Sequence, residues 1–177
     1  MGIIPLEKVG EYRMDRYDRA FGVYGICIQD EEILVIRKNR GPYIHRFDLP
    51  GGQLEHGETL VDAMQREFLE ETGFKVSITK QAGAADFQYP CIWKEFTHVH
   101  HIAVFYYVMI KGGELLHMPS QFEGQDAAEA LWMPIKKLDK NNASPLVLKA
   151  IEAHSLSVWP HDSEVYNSWE LKKTFEQ

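Results

Sequence analysis

One segment, from Gly51 to Phe74, constrains the fold more than any other, because two glycine turns enclose a single helix-length run. Thr59 predicts the N-cap of this helix, and Asp62 follows three residues later in the position of a capping box. Gly73 comes after the last periodic residue and predicts a left-handed C-cap. We therefore expect one helix between these two caps, preceded by a glycine turn.

The predicted helix has two faces of different chemistry. At about 100° per residue, Val61, Met64 and Phe68 share an apolar arc. The adjoining arc carries three glutamates, Glu67, Glu70 and Glu71. Like charges at this spacing destabilise a helix by only about 0.2–0.5 kcal/mol per pair, so a solvated acidic face is one interpretation. The other is a site for a hard cation such as Mg²⁺, which takes carboxylate oxygens together with substrate phosphates.

The segment also matches a longer pattern of residue types at fixed spacing. Its specified positions are Gly52, Glu58, Arg66, Glu67, Phe68, Glu70, Glu71, Gly73 and Phe74. They follow the Nudix box, G-x5-E-x7-R-E-U-x-E-E-x-G-U, with U a bulky aliphatic residue. Both U positions here are Phe, which keeps the bulk but is less usual than Leu, Ile or Val. The chain therefore resembles the Nudix hydrolase family (MutT-like). The resemblance implies an α/β (α+β) fold, a Nudix-type α/β/α sandwich with a mixed β-sheet.

The resemblance implies a metal-dependent hydrolase that uses Mg²⁺ or Mn²⁺. Its substrate would be a small-molecule nucleotide, cleaved at a diphosphate linkage between a nucleoside diphosphate and another moiety, as in a nucleoside triphosphate or ADP-ribose. The alternative is a catalytically silent Nudix-fold domain that senses a nucleotide. Such domains usually lose box glutamates, and this box is complete. Isomerase chemistry would need a catalytic cysteine, and neither Cys27 nor Cys91 lies in a recognisable motif.

Transferred position by position, the resemblance implies metal ligation by Glu67, Glu70 and Glu71 on the helix. The carbonyl of Gly51 would add a ligand, and Glu58 would reach the metal through water. In this chemistry the metal neutralises phosphate charge and lowers the pKa of the attacking water.

The catalytic set predicted from the resemblance is Glu67, Glu70, Arg66 and Glu123. Arg66 matches the box arginine and is expected to orient a neighbouring glutamate, here as an i, i+4 pair with Glu70. The general base stays open between Glu67 and three acids of a later loop, namely Glu123, Asp126 and Glu129. Glu123 is the first choice among these three, because it precedes a glycine in a loop that could close over the metals.

Cationic and aromatic residues that precede the box are candidates for substrate binding. The predicted set is Arg37, Arg40, Arg46 and Tyr43, with Lys38 in the same cluster and Phe87 and Tyr89 as further aromatics. A solvated hairpin end is an equal interpretation for any one of the cations. Three histidines at 98, 100 and 101 lie on a predicted strand. No cysteine or second histidine cluster completes a zinc pattern there, so they are interpreted as partly exposed strand residues or as residues near the pocket.

Length and composition predict a single domain. The chain has 177 residues, of which 45% are hydrophobic, and its net charge is −7. We expect a core over about 18–155 and a C-terminal extension over 156–177, which either packs on the domain or covers a homodimer surface. The charge argues against a nucleic-acid or anionic membrane surface. Two cysteines are too few for a disulfide framework. Neither a signal peptide nor an apolar run of about 20 residues is evident, which predicts a cytoplasmic protein.

Strands and a second helix are predicted on both sides of the box. The expected strands cover 20–28, 33–36, 75–79, 83–89, 97–110 and 130–134, with a turn at 90–95 and a helix over 144–154.

Overall fold

The computed structural model describes residues 14–117 and 127–175. The strands are β1 (Tyr17–Ile26), β2 (Ile28–Gln29), β3 (Glu32–Lys38), β4 (Phe47–Asp48), β5 (Gly51–Gly52), β6 (Phe74–Trp93), β7 (Phe96–Gly113), β8 (Ala127–Pro134) and β9 (Glu164–Val165). The helices are α1 (Leu60–Thr72) and α2 (Pro145–Leu156), and a 3-10 turn covers Ile135–Lys137.

Helix α1 has the two caps that its sequence predicts. The Thr59 hydroxyl accepts a hydrogen bond from the Asp62 N–H, and Gly73 takes the left-handed conformation with φ of 80°. The expected apolar arc is only partly buried, because Val61 in the first turn is 40% exposed. A polar residue, Glu71, instead takes a fully buried position near the end of the helix.

The strands form two sheets. The larger sheet has the order β5-β1-β7-β6-β9, with β1 parallel to β7 and β7 antiparallel to β6. The smaller sheet is built on β3, which pairs with β2, β4 and β8. Parallel and antiparallel pairs therefore occur in one sheet, so the expected mixed sheet is confirmed.

A single strand, β6, replaces the two short strands and the wide turn that were expected over 75–95. It pairs with β7 along its whole length, from Phe74 opposite Gly113 to Trp93 opposite Phe96. Register shifts interrupt the ladder between residues 78 and 83, which is where the two predicted strands were separated. An irregularity of this kind lets a strand stay paired across residues that break its alternation.

Each helix covers its own hydrophobic cluster. Met64 and Phe68 of α1 pack with a cluster that includes Val23 and Tyr106, whereas Leu146 of α2 belongs to a second cluster. The second cluster also contains Phe87, Phe105, Tyr89 and Leu49. The described residues thus form a mixed α+β structure with two helices and a mixed sheet, and the predicted fold class is confirmed. Within the described residues, neither helix is long and apolar enough to cross a membrane.

The described part of the C-terminal extension packs on the domain. Strand β9 runs parallel to β6, with Glu164 opposite Phe87. The indole N–H of Trp159 donates to the Ala84 carbonyl at 2.9 Å. A Cβ atom at Gly83 would lie 2.4 Å from the Trp159 ring, so the missing side chain at Gly83 makes the space that the indole fills.

The contact between α1 and β1 generates a stability prediction. A Cβ atom at Gly25 would lie 2.6 Å from the Phe68 ring, so we expect Gly25→Ala to lower the free energy of unfolding by about 1–3 kcal/mol through overpacking. Urea denaturation measures this change as a shift of the midpoint, at a constant slope of the free energy of unfolding against urea concentration. Gly112→Ala is the matched control, because no heavy atom lies within 4 Å of the added Cβ, and its effect should stay within about 0.5 kcal/mol. Equal midpoints for the two variants would contradict the proposed helix contact.

Candidate active site

A cavity of about 580 Å³ lies where α1, β1, the glycine turn and the loop after β3 converge. Six of the predicted site residues line it, namely Gly51, Arg66, Glu67, Glu70, Arg40 and Tyr43. Lys38, Tyr24, Tyr89 and His101 line it as well. The cavity therefore brings two box glutamates together with cationic and aromatic side chains from other parts of the chain.

Arg66 joins three glutamates of the box. Its Nε lies 2.8 Å from Glu58 Oε1, and its Nη1 lies 3.0 Å from Glu67 Oε1 and 3.3 Å from Glu70 Oε2. The predicted i, i+4 pair with Glu70 is thus present, but it is the longest of the three contacts. The guanidinium also donates to the Gln53 carbonyl, so it connects α1 to the turn that follows β5.

Glu58 contacts Arg66 and the backbone, and it does not line the cavity. Hydrogen bonds from Arg66, and then from the Glu55 N–H, lower the pKa of Glu58 to about 2. The same contact raises the pKa of Arg66 further above its ordinary value. The pair is therefore fully ionised over the whole working range of pH, and it fixes the orientation of the guanidinium beside Glu67 and Glu70.

Glu71 lies behind the cavity wall and supports the glycine turn. Its side chain is 1% exposed, and its Oε2 accepts a hydrogen bond from the Gly51 N–H at 2.8 Å. Gly51 has φ of 144°, and a Cβ atom there would lie 2.1 Å from the Val23 carbonyl oxygen. At Gly52 a Cβ atom would lie 2.8 Å from Glu67 Oε1. Gly51 thus lets the turn backbone come close to β1, and Gly52 lets it come close to the Glu67 carboxylate.

The donor chemistry of these residues fits a hard divalent cation. Among residues 14–117 and 127–175, no three His, Cys, Asp or Glu side chains are grouped as a ready metal site. The carboxylates instead contact Arg66 and the Gly51 N–H. A carboxylate has about four acceptor positions, so these contacts leave it capacity for a cation. Oxygen ligands of this type suit Mg²⁺ or Mn²⁺.

Two predicted substrate residues, Arg37 and Arg46, do not line the cavity. Arg37 Nε lies 2.8 Å from Glu129 Oε2, and the guanidinium lies over the rings of Phe47 and Phe175. The pairing of β3 with β8 shifts register between Arg37 and Lys38, and of these two residues only Lys38 lines the cavity. Arg46 is 5% exposed and donates to backbone carbonyl groups, among them that of Lys140 at 3.0 Å.

The acids of the later loop divide into two groups. Glu129 on β8 is engaged by Arg37 and does not line the cavity. Glu123 and Asp126 lie outside the described residues, so the assignment of a general base from this loop stays a prediction.

His101 lines the cavity, which agrees with the second of the two expectations for the strand histidines, that they lie near the pocket. Its Nε2 lies 3.0 Å from the Tyr24 hydroxyl, and its Nδ1 lies 2.9 Å from the Tyr43 hydroxyl. Burial lowers the pKa of His101 to about 3, and the charge of Lys38 adds to this effect. The ring is therefore neutral at pH 7. The strand alternation places His101 on the opposite face from His98 and His100, and its neighbours in sequence are apolar. This pattern was the available signal for burial, because a buried polar side chain needs hydrogen-bond partners.

Comparison with known proteins identifies the family. The family described as NUDIX domain matches residues 16–152. The chain belongs to the Nudix hydrolase family. An ADP-ribose pyrophosphatase of Methanocaldococcus jannaschii is 32% identical over 138 residues, which cover 78% of this chain and 75% of that protein. A putative 8-oxo-dGTP diphosphatase of Bacillus subtilis is 28% identical, with coverage of 63% and 64%.

The solved structures agree with this assignment at the level of the fold. The crystal structure of a NUDIX hydrolase from Nitrosomonas europaea has a TM-score of 0.60 at 18% identity, covering 86% of this chain and 81% of that one. The described chain is thus a Nudix hydrolase in sequence and in fold.

The neutral state of His101 in this Nudix hydrolase generates a pH prediction. The unfolded chain takes up this proton near the ordinary pKa of 6.5, whereas the folded chain does so near 3. Stability from this group is therefore complete above pH 6.5 and is lost as the pH falls toward 3. Between pH 7 and pH 5 the loss should be about 2 kcal/mol. His101→Gln, which keeps one donor and one acceptor, should remove that part of the pH dependence.

The measurement is the free energy of unfolding of wild type and variant at pH 7 and pH 5. His161→Gln is the control, since His161 is exposed. An identical loss of stability in wild type and His101→Gln would show that His101 takes up its proton in the folded state.

Proposed function

We propose that this Nudix hydrolase is metal-dependent and cleaves a diphosphate linkage in a nucleoside diphosphate joined to another moiety. The observation that carries the proposal is the composition of one cavity, in which Glu67 and Glu70 occur together with Lys38 and Arg40. A diphosphate needs both kinds of group. Carboxylates hold the metal ions that phosphate oxygens share, and cationic side chains offset the remaining negative charge.

In this proposal Glu67, Glu70 and Glu71 hold Mg²⁺ or Mn²⁺ together with the Gly51 carbonyl. The bound ion supplies charge neutralisation at the phosphate and lowers the pKa of the attacking water. The buried hydrogen bond from the Gly51 N–H to Glu71 supports this assignment, because it fixes the turn backbone next to the helix that carries the acids.

Arg66 is a positioning residue in this proposal. It holds Glu67 and Glu70 through ion pairs of 3.0 and 3.3 Å while Glu58 holds the guanidinium from the other end. Glu58 therefore acts mainly through Arg66. Glu67 is the described candidate for the general base, because it lines the cavity, and Glu123 remains the candidate from the later loop.

Lys38 and Arg40 are the proposed phosphate contacts, in place of Arg37 and Arg46. Tyr43 and Tyr89 line the same cavity and offer aromatic surface to a base or sugar. Among substrate classes we propose ADP-ribose first and oxidised nucleoside triphosphates second. This order follows the two relatives, because the ADP-ribose pyrophosphatase shares the higher identity over the longer match.

The first experiment is a hydrolysis screen in the presence of Mg²⁺. The panel contains ADP-ribose, nucleoside triphosphates, oxidised nucleotides, nucleotide sugars and dinucleoside polyphosphates. We expect turnover of at least one compound, its loss with EDTA and its return with Mg²⁺ or Mn²⁺. Turnover that survives EDTA would refute the metal assignment. A silent panel, with Mg²⁺ binding intact, would favour the nucleotide-sensing alternative.

Glu71→Gln tests the metal ligands in the same assay. Glutamine keeps an oxygen for the Gly51 N–H, so the fold should persist while the charge is lost. A metal ligand contributes several kcal/mol of transition-state stabilisation, and about 1.4 kcal/mol corresponds to tenfold, so kcat should fall on the order of 100-fold or more. A thermal unfolding scan checks the fold. Wild-type turnover in this variant would contradict the role of Glu71.

A second pair of variants tests the loop acid. We expect Glu123→Gln to slow turnover more than Glu129→Gln, because Glu129 is engaged by Arg37 and does not line the cavity. General-base catalysis typically contributes about 10²–10⁴-fold, which sets the expected loss of kcat for Glu123→Gln. The reverse order of the two variants would exclude Glu123 as the base and leave Glu67, Asp126 and Glu129 as the candidates.

A further inference from the structure

We propose that the C-terminal extension positions the cavity loop (residues 39–46) and thereby sets the affinity for substrate, with Trp169 as the central positioning residue. The effect on affinity rests on the function proposed above, whereas the positioning itself does not.

Trp169 contacts three residues that line the cavity. Its indole N–H donates to the Pro42 carbonyl at 2.8 Å, and its ring centroid lies 4.6 Å from that of Tyr89 and 5.7 Å from that of Tyr43. Trp169 itself does not line the cavity. It therefore acts on the cavity through Pro42 and the two tyrosines.

Arg46 fastens the end of the cavity loop to the extension. Its guanidinium lies 4.9 Å from the centre of the Trp169 ring and donates to the Glu170 carbonyl at 3.3 Å. The same side chain donates to the Lys140 carbonyl at 3.0 Å. Arg46 thus connects the loop to the extension and to the turn before α2, which explains its burial.

The cavity loop contains a backbone conformation that needs support. His45 has φ of 60°, which residues other than glycine rarely adopt and which persists where neighbouring structure holds it. Its N–H donates to the Lys38 carbonyl, and its ring centroid lies 5.0 Å from that of Phe175. The extension therefore contacts the loop near its middle, through Trp169, and near its end, through Phe175.

The route of the extension to the loop is defined by contacts along the edge of the larger sheet. Strand β9 pairs with β6, and the Tyr166 N–H donates to the Gln88 carbonyl at 2.8 Å. Lys149 of α2, which is 2% exposed, lies 3.0 Å from Glu164. These contacts bring Trp169 to Tyr89, the neighbour of Gln88 on β6.

The cavity loop carries side chains proposed to bind substrate and not the acids proposed to bind metal. Arg40, Pro42 and Tyr43 belong to the loop, whereas Glu67 and Glu70 belong to α1. A loosened loop should therefore weaken substrate binding more than it slows the chemical step.

The test compares Trp169→Ala with Trp159→Ala. Both tryptophans are half-buried residues of the extension, and both donate to a backbone carbonyl, but only Trp169 contacts the cavity residues. The loop amides of Ile44, His45 and Arg46, which are hydrogen-bonded, are followed by hydrogen exchange. We expect exchange at least about tenfold faster in Trp169→Ala and unchanged in Trp159→Ala.

Substrate affinity is measured in the same variants as KM for the hydrolysed compound and as Kd for ADP with Mg²⁺. In Trp169→Ala both should rise about tenfold or more while kcat changes little, because misplaced binding groups weaken association. Trp169→Phe keeps an aromatic ring but loses the N–H and part of the ring area, so its effects should be intermediate. It also replaces Trp169→Ala if that variant does not fold.

The outcomes separate the two proposals. Unchanged exchange in the Trp169 variants would overturn the positioning role, whatever the protein hydrolyses. Faster exchange with unchanged KM and Kd would overturn the effect on affinity. A wild-type protein that hydrolyses nothing in the panel would overturn the proposed function, while exchange and ADP affinity would still decide the role of Trp169.

Discussion

The hydrogen bond from the Gly51 N–H to the buried carboxylate of Glu71 is the contact on which the site depends. It joins the last turn of α1 to the glycine turn, which pairs with β1 through Gly51 and Gly52. A buried carboxylate is costly unless it is hydrogen-bonded, so the turn and the helix stabilise each other. Neither the turn nor the helix could move without exposing a buried polar group. The spacing between the box glycines and glutamates is therefore a structural requirement as well as a proposed chemical one.

Arg66 supplies the second constraint, because three glutamates of like charge lie near one another on α1 and beside it. Its contacts with Glu58, Glu67 and Glu70 offset their repulsion. The order of these contacts matters for the chemistry. Glu58 makes the closest pair and takes two donors, whereas Glu67 and Glu70 share one nitrogen. Arg66 is therefore held most firmly by Glu58, which does not line the cavity, and its contacts with the two glutamates that line the cavity are longer.

Local parts of this structure could be predicted from sequence, and parts set by strand register could not. The caps of α1 depend on residues at its two ends, so Thr59 and Gly73 indicate its ends correctly. The face of the sheet on which Arg37 and Lys38 lie depends on the pairing of β3 with β8. A shift of one residue in this pairing exchanges the two faces. Arg37, Lys38 and Arg40 therefore looked equivalent in sequence, although Arg37 faces away from the cavity. The burial of Glu71 was equally hidden, because its partner lies 20 residues earlier in the chain.

The contacts of the C-terminal extension limit how far substrate preference can be transferred between relatives. The family match ends at residue 152, whereas Trp169 and Phe175 lie beyond it. The box, to which we assign the metal-binding and catalytic residues by proposal, is inside the matched region. The cavity loop is also inside it, but part of its support, from Trp169 and Phe175, comes from outside. Two Nudix hydrolases can therefore share the box and the loop sequence and still present different cavities, since the segment that fixes the loop differs between them. Residues beyond the matched domain must be included in any comparison of substrate specificity for this chain.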